Sequence, residues 1–221
     1  MKILIVCEES QAVTKAFRKL GFEAYSCDLQ ECSGGHPEWH IKDNLFNHID
    51  KGWDFTGAHP DCTYMTNSGV CHLYNKDGSK NIDRWIKLEN AMNFFNNVKS
   101  KVKKGYLENP IPHKYARDGF YSVIDGKWVN GIGWYDQLIQ PYHFGHLESK
   151  ATCLWLIDIP KLKHTHDRKE EWKKLPKNKA QRLHYLPPGP ERAKERSKTF
   201  PEIAKAMATQ WGEFLLKENN I

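Results

Sequence analysis

MKILIVCEESQAVTKAFRKLGFEAYSCD, residues 1–28, carries the clearest structural pattern in the chain. Residues 2–7 are apolar and rich in β-branched side chains, which predicts a strand. Residues 12–20 place apolar side chains at helical spacing and stop at Gly21, a typical helix end. Residues 22–27 alternate between apolar and polar side chains and predict a second strand. Strand, helix and strand in this order form a β-α-β unit, which opens a parallel sheet.

The chain downstream of residue 28 continues the alternation of strands and helices. Further strands are predicted at residues 53–58, 105–107 and 151–157, and a helix is predicted at 83–98. A last helix is indicated by apolar residues that are four apart, namely Ile203, Met207, Trp211 and Leu215. We therefore expect an α/β fold with a Rossmann-like, doubly wound and mostly parallel sheet.

Three segments are expected to differ from this alternation. Residues 111–149 are rich in turn-forming and aromatic residues and predict an inserted loop region outside the sheet. Residues 161–198 are basic and Pro-rich and predict an irregular segment, and residues 199–221 form the predicted C-terminal helix. Because 221 residues suit one domain, residues 1–221 are expected to form a single domain.

The composition excludes several classes of protein. Hydrophobic residues make up 39% of the chain, with 8 Trp, 9 Tyr and 10 Phe, which is enough for a core and excludes general disorder. No apolar run approaches the roughly 20 residues that span a bilayer. The N-terminus turns acidic at Glu8 and Glu9 without a signal-peptide cleavage site, and the six cysteines include no Cys-x-x-Cys pair. These features predict a cytoplasmic protein with reduced thiols and no membrane partner.

The positive charge is concentrated near the C-terminus. The net charge is +6, and residues 161–198 contain 13 Lys and Arg against 5 Asp and Glu, whereas the remainder contains 20 against 22. Such an asymmetry is typical of a face that binds a polyanion, although a solvated lysine-rich surface would have the same composition.

Ligands of doubly wound sheets bind at the carboxyl ends of the strands, so the residues after each predicted strand are the site candidates. The turn after the first strand, residues 7–11, reads Cys-Glu-Glu-Ser-Gln and contains no glycine. The G-x-G-x-x-G fingerprint of dinucleotide sites is therefore absent. Asp28 ends the second strand, where a carboxylate often binds ribose hydroxyls, although an acid at a strand end also serves solubility.

Two further candidates follow later strands. Cys62 lies in a polar loop directly after a strand, which suits a nucleophilic thiolate, although a free cysteine is also a common packing residue. Glu108 follows an apolar strand, where partial burial raises the pKa of a carboxyl group and lets it hold or give a proton. A capping role for Glu108 is the alternative.

Four residues near the second predicted strand have the side-chain types of a zinc site but not its spacing. Cys27, Cys32, His36 and His40 are residue types that bind zinc, but their spacing is not that of a standard finger. Cys62, Cys71 and His72 form a weaker group, and His164 and His166 are expected at the surface. We therefore predict no metal site.

The motifs in this order resemble those of the C5-cytosine DNA methyltransferases, which have a cofactor loop, a Pro-Cys nucleophile motif and a Glu-Asn-Val motif. A closer resemblance, over nearly the whole chain, is to short phage-encoded proteins identified as DNA cytosine methyltransferases, through residues 26–29, 59–64, 108–110 and 187–197. The chain departs from the characterised enzymes in its glycine-free cofactor loop and in Asp61, which stands between Pro60 and Cys62. Residues 111–149 are also too few for a full target-recognition domain.

The resemblance implies a class I methyltransferase-like fold and S-adenosylmethionine-dependent methyl transfer to carbon 5 of cytosine in DNA. It implies that Cys62 attacks carbon 6 of the base and that Glu108 holds the N3 and amino edge. It also implies that Asp28 binds the cofactor ribose. The other cofactor-binding residues that it implies are Cys7, Glu8, Glu9, Ser10, Gln11, His59 and Pro60. The target base would be flipped out of a duplex or supplied single-stranded.

DNA contacts are expected around the basic segment. The residues predicted to contact phosphates are Lys150, Arg182, Arg192, Lys194 and Arg196. Two alternatives stay open for a phage-encoded protein in the bacterial cytoplasm. A catalytically inactive methyltransferase-like module that binds DNA or a host protein would explain the glycine-free loop. A methyltransferase that acts on a free nucleotide or RNA would explain the missing recognition domain.

Overall fold

The computed structural model describes residues 1–219, and of residues 190, 191, 193 and 194 it describes the backbone only. The strands are β1 (Lys2–Val6), β2 (Glu23–Asp28), β3 (His40–Lys42), β4 (Phe55–Ala58), β5 (Gly105–Pro110), β6 (Gly119–Tyr121), β7 (Trp128–Asn130), β8 (Gln137–Ile139) and β9 (Thr152–Ile157). The helices are α1 (Ala12–Lys19), α2 (Ile82–Lys101), α3 (Lys114–Asp118), α4 (Lys169–Lys173), α5 (Lys177–Ala180), α6 (Arg182–Tyr185), α7 (Pro190–Ser197) and α8 (Pro201–Glu218). Short 3₁₀ helices lie at Pro37–Trp39, Leu45–Asn47, Asn67–Leu73 and Pro141–His143. No helix within residues 1–219 is long and apolar enough to cross a bilayer.

Seven strands form one sheet in the order β3-β2-β1-β4-β5-β9-β8. All the pairs from β3 to β5 are parallel. β9 runs antiparallel to both of its neighbours, β5 and β8. The predicted α/β class with a mostly parallel, Rossmann-like sheet is therefore confirmed. β6 and β7 form a separate two-stranded sheet.

Helices cover both faces of the main sheet. Successive residues of a strand point to opposite faces, and here the residues on each face are apolar. Ile3 and Ile5 of β1 pack in the cluster under α1 and α8, whereas Leu4 and Val6 pack in the cluster under α2. The predicted stripe of α8 is buried at all four positions, Ile203, Met207, Trp211 and Leu215. Each such side chain contributes about 1.5–3 kcal/mol when fully buried, so these two faces supply much of the stability.

Some local predictions were wrong, and each has a physical reason. Residues 137–139, expected outside the sheet, form its edge strand β8, which is too short for a visible alternation. β5 continues through Pro110, because β9 pairs with it beyond the end of β4. The segment 161–198, expected to be irregular, contains α4 to α7, whose four to eight residues are too few to set up a readable helical period.

Candidate active site

The carboxyl edge of the sheet opens into a cleft of about 1550 Å³. Parallel strands end at the same edge, so the residues after β1, β2 and β4 meet there although they are far apart in sequence. β9 is reversed, and its start therefore lies at this edge instead of its end. The predicted residues that line the cleft are Cys7, Glu8, Glu9, Ser10, Asp28, His59, Pro60, Cys62, Glu108, Lys150 and Arg196.

The turn between β1 and α1 reaches a left-handed backbone conformation without glycine. Cys7 has φ 57° and Gln11 has φ 56°. Left-handed backbone costs a residue with a side chain about 1–2 kcal/mol, so surrounding contacts must hold the turn. The Gln11 side chain is buried and forms two such contacts, since its Nε2 donates to the carbonyl of His36 at 2.8 Å and its Oε1 accepts from the amide of His36 at 3.1 Å. The buried side chain of Gln11 therefore helps to hold the turn in this conformation.

Glu8 caps the helix that follows. Its buried carboxylate accepts from the amide of Val13 at 2.6 Å, and from the amide of Thr14 at 3.2 Å and its hydroxyl at 2.6 Å. Burial raises the pKa of Glu8, while nearby His59 and these hydrogen bonds oppose the shift. A helix N-terminus of this kind commonly binds a phosphate group. Glu8 occupies that position in α1, which disfavours a phosphate-bearing ligand at this turn.

The loop after β2 lies across the same turn. The amide of Ser33 donates to the carbonyl of Glu9 at 2.8 Å, and the Ser33 hydroxyl donates to the Glu9 carboxylate. Gly34 approaches so closely that an added Cβ would lie 2.6 Å from the carbonyl oxygen of Ser10. Only glycine fits this crossing without displacing the turn. The β1–α1 turn and the loop after β2 therefore form one wall of the cleft.

Asp28 stands at the lip of this wall. One of its carboxylate oxygens accepts from the amide of Gln30 at 2.9 Å, which fixes the side chain at the end of β2. Beside it, Leu29 is 72% exposed, and Phe46 also lines the cleft. An acid with apolar neighbours suits a ligand that combines hydroxyl groups with a flat apolar ring. The hydrophobic Leu29 directly after Asp28 was the one sequence signal for these apolar side chains in the cleft.

His59 and Tyr106 form the floor between β4 and β5. The amide of His59 donates to the carbonyl of Val6 at 3.0 Å, and His59 Nε2 lies 2.7 Å from the hydroxyl oxygen of Tyr106. Tyr106 is fully buried, and its pKa is raised well above the usual value by burial and by the charges of Glu8 and Glu108. The tyrosine therefore stays neutral and fixes the imidazole at the base of the Cys62 loop.

Two side chains outside the predicted set hold the Cys62 loop from the other side. Arg84, in the first turn of α2, donates from Nη2 to the carbonyl of Thr63 at 3.0 Å and lies 4.4 Å from the ring centroid of Tyr64. His113 Nε2 lies 3.1 Å from the carbonyl oxygen of Tyr64. Burial lowers the pKa of His113, so its ring is neutral at pH 7 and can donate from Nε2 to this carbonyl. These contacts make the loop rigid.

The thiol of Cys62 is protonated in this environment. Burial and the negative charges of Glu108 and Asp61 raise its pKa to about 11, whereas the charge of Lys150 opposes this shift. Burial lowers the pKa of Lys150, whereas Glu108 and Cys62 raise it. Lys150 Nζ donates to the carbonyl of Lys198 at 2.9 Å, which anchors the ammonium group. The side chains of Cys62, Glu108 and Lys150 therefore interact electrostatically with one another.

The charges of the cleft are divided along the sheet. Acidic side chains follow the strands on the β3-β2-β1 side, namely Glu9, Asp28 and Asp43. The β4-β5-β9 side, called the basic end here, carries the basic side chains Arg84, Lys150 and Arg196 together with the acidic side chains Asp61 and Glu108. Among the described residues, the Lys and Arg side chains that line the cleft therefore all lie at this end, where an anionic ligand would bind.

Two residues of the predicted DNA-binding set, Arg182 and Arg192, are not among the described residues that line the cleft. Arg182 pairs with Glu148 at 3.0 Å and lines a second cavity of about 1060 Å³ next to α1 and α8. Arg192 donates to the carbonyl of His184 at 3.0 Å. The side chain of Lys194 lies outside the described part of the chain. Arg196 of α7, by contrast, lines the cleft.

His36 and His40, two of the four residues whose types bind zinc, have other partners. His40 Nδ1 lies 2.8 Å from the hydroxyl of Ser26, and its Nε2 lies 2.8 Å from the carbonyl of Gln30. His36 pairs with Glu38 at 3.0 Å. Among residues 1–219, these side chains are not part of a group that could hold a metal ion. The sequence of this chain matches no protein-family model, and a comparison with curated proteins gives no significant match.

Proposed function

We propose that this protein is an S-adenosylmethionine-dependent methyltransferase that acts on carbon 5 of cytosine in DNA. The observation that carries the proposal is the convergence of Cys62, Glu108 and Asp28 on one cleft from three different strands. A nucleophile, a carboxyl group for the base and an acid for a ribose are the groups that the motif resemblance implies for this reaction. The strand order, with the reversed β9, is compatible with a methyltransferase-like fold.

The acidic end of the cleft favours this cofactor over a dinucleotide. S-adenosylmethionine carries a sulfonium and an ammonium group but no phosphate. Glu8 fills the helix N-terminus where a phosphate would bind, and Glu9 and Asp28 supply negative charge for the cations. Leu29 and Phe46 offer apolar contact for the adenine ring, and Asp28 can accept from the ribose hydroxyls. When bound, the cofactor supplies the methyl group.

Cys62 and Glu108 would activate the cytosine. Carbon 5 of cytosine is a weak nucleophile until a thiolate adds to carbon 6 and pushes electrons through the ring. The sulfur of Cys62 would form this bond after its thiol proton leaves to solvent, and Glu108 in its protonated form would donate a hydrogen bond to N3, where negative charge develops. After methyl transfer a water molecule would take the proton from carbon 5, the electron pair of that bond would reform the double bond between carbons 5 and 6, and the sulfur would leave as a thiolate. The ammonium group of Lys150 favours the thiolate throughout, because it lowers the pKa of Cys62.

The basic end of the cleft supplies the nucleic-acid contacts of this proposal. Arg196 and Lys150 stand on the side where Cys62 and Glu108 lie, so a phosphate backbone there would bring a base to the thiol. Carbons 5 and 6 are hidden in a stacked duplex, and the base must therefore be flipped out or come from a single strand.

One observation favours a catalytically inactive module instead. The pKa of Cys62 is about 11, so only a small fraction of the thiol is ionised at pH 7. An inactive protein could still bind DNA at the basic end. The two functions differ in whether the cofactor binds and whether a covalent bond to the base forms.

The test is covalent capture with DNA that contains 5-fluorocytosine, because fluorine cannot leave in the final elimination. With S-adenosylmethionine present, the wild type should form a stable adduct, and Cys62→Ser should form none. Cys71→Ser is the matched control, since Cys71 is exposed and does not line the cleft. An adduct in Cys62→Ser, or methyl transfer to the exocyclic nitrogen, would overturn the mechanism. Calorimetry with no heat at millimolar cofactor would support the inactive module.

A further inference from the structure

A second cluster of reactive side chains lies on the loops on either side of β9. His143 ends the 3₁₀ helix that follows β8, and His164 and Asp167 belong to the stretch between β9 and α4. Their potential ligand atoms all lie within 4.8 Å of one another. Among the side chains that the structure describes, this is the one group of three or more His, Cys, Asp or Glu that could hold a metal ion.

The backbone already aligns the two loops. The amide of His166 donates to the carbonyl of His143 at 3.3 Å, and the amide of Arg168 donates to the carbonyl of Tyr142 at 2.8 Å. The rings of Tyr142 and Trp172 stack at 4.7 Å and cover one side of the cluster. The side chains therefore project from a fixed frame.

One ring nitrogen in this frame lacks a partner. Nδ1 of His143 is buried and has no hydrogen bond to any residue of the described chain. A buried polar atom left without a partner costs about 1–3 kcal/mol, so such atoms normally mark an unseen ligand or water. Asp167 uses Oδ1 for the amide of Lys169 at 2.9 Å and directs Oδ2 toward His164 Nδ1 at 3.5 Å. Two imidazoles and one carboxylate oxygen thus lie close together, with their potential ligand atoms within 4.8 Å of one another.

We propose that His143, His164 and Asp167 bind a divalent transition-metal ion, with Zn²⁺ as the ion that these ligands favour. Imidazole nitrogen suits zinc and its neighbours in the series, whereas Mg²⁺ and Ca²⁺ prefer oxygen ligands only. Three protein ligands leave the fourth position of a tetrahedral ion to water. The proposal is independent of the methyltransferase assignment.

Coordination requires a small rearrangement that the exposed residues allow. The rings of His143 and His164 now stack at 3.8 Å with an interplanar angle of 11°. Zinc lies in the plane of each imidazole at about 2.0–2.1 Å, so its donor atoms must come to about 3.4 Å from one another. His164 and Asp167 are exposed and can turn, whereas His143 is partly buried and supplies the fixed nitrogen. A bound ion would separate the two stacked rings and connect them through their nitrogen atoms.

A metal ion at this position would connect the basic segment, residues 161–198, to the loop between β8 and β9 of the sheet. His143 precedes the loop that carries Lys150, whereas His164 and Asp167 lie within the basic segment. The ion would therefore hold the two loops that border β9 at a fixed distance. Metal binding of this kind stabilises the folded state, because the unfolded chain does not present the three ligands together.

The experiment is titration of the apo full-length protein with Zn²⁺ and with Mg²⁺, followed by calorimetry and thermal unfolding. Zn²⁺ at 100 times its dissociation constant should raise the melting temperature by about 5 to 10 °C, and EDTA should reverse the shift. Mg²⁺ should have no effect. The six free cysteines could also bind zinc, so Co²⁺ provides the second readout. Cobalt in the proposed site should show visible bands without a thiolate charge-transfer band.

His164→Ala and Asp167→Asn should each weaken Zn²⁺ binding by about tenfold or more, measured against their own metal-free state. His166→Ala is the matched control, since His166 is exposed, lies between the two ligands and is not part of the group. Its affinity should equal that of the wild type. Unchanged affinity in His164→Ala, a thiolate band with Co²⁺, or no binding at 100 µM Zn²⁺ by folded protein would each overturn the proposal.

Discussion

The imidazole of His59 and the hydroxyl of Tyr106 meet at 2.7 Å across the neighbouring strands β4 and β5. This contact joins the start of the Cys62 loop to the strand that carries Glu108. This part-buried hydrogen bond therefore helps to position both proposed catalytic residues relative to each other.

Tyr106→Phe should remove this hydrogen bond and leave the ring packing in place. We expect the free energy of unfolding to fall by about 1 kcal/mol, because the imidazole of His59 loses its buried partner. Urea denaturation measures the change. Tyr121→Phe is the control, since Tyr121 is 67% exposed and should change stability little. Equal stability of Tyr106→Phe and wild type would show that water replaces the hydroxyl.

Alkylation of Cys62 should report its electrostatic surroundings. The pKa of about 11 means that the thiolate fraction, and hence the alkylation rate, rises about tenfold per pH unit between pH 7 and 10. Lys150→Met should slow the reaction at a given pH, because the lysine charge lowers the pKa of Cys62. Glu108→Gln should accelerate it, because the carboxylate charge raises that pKa. Peptide mass spectrometry after iodoacetamide treatment measures each rate, with exposed Cys71 as the internal reference.

The same Glu108→Gln variant should behave in the opposite sense with substrate. Capture by 5-fluorocytosine DNA should slow, because the charge that develops on the base loses its partner, while cofactor binding stays unchanged. A variant that is faster in both reactions would mean that Glu108 does not contact the base.

Asp28→Ala should weaken binding of S-adenosylmethionine by about tenfold, the effect of losing a hydrogen bond to a charged group. Calorimetry measures the affinity. Asp50→Ala is the control, since Asp50 pairs with Lys101 and does not line the cleft. An affinity equal to that of the wild type would remove Asp28 from the cofactor site.

Arg196→Glu should weaken DNA binding about equally for all sequences and make it less sensitive to salt. A protein cation that neutralises a phosphate releases condensed counterions, so losing one such contact should reduce the slope of log affinity against log salt by about 1. Binding isotherms at several salt concentrations give this slope. Lys127→Glu is the control, because Lys127 is exposed and does not line the cleft. DNA binding that does not depend on salt would contradict a role for the basic end of the cleft.

The sequence predicted those parts of the fold that depend on long, regular patterns. The first β-α-β unit and the stripe of α8 were readable because each buried face repeats over several turns or residues. Polar residues after apolar strands marked Asp28, Cys62 and Glu108, because parallel strands end at one edge. The proposed reaction came from the resemblance of these motifs to a family, because the periodicity of apolar residues predicts secondary structure and not chemistry.

The tertiary structure alone decided how these residues are supported. The direction of β9 cannot be read from an apolar run that looks the same both ways, yet its reversal brings Lys150 to Cys62. The sequence does not distinguish a Glu8 that binds a ligand from a Glu8 that caps α1. Only the fold directs its carboxylate to the helix amides. His143, His164 and Asp167 meet because of long-range loop pairing. Such contacts depend on how distant segments pack, a property that local pattern does not encode.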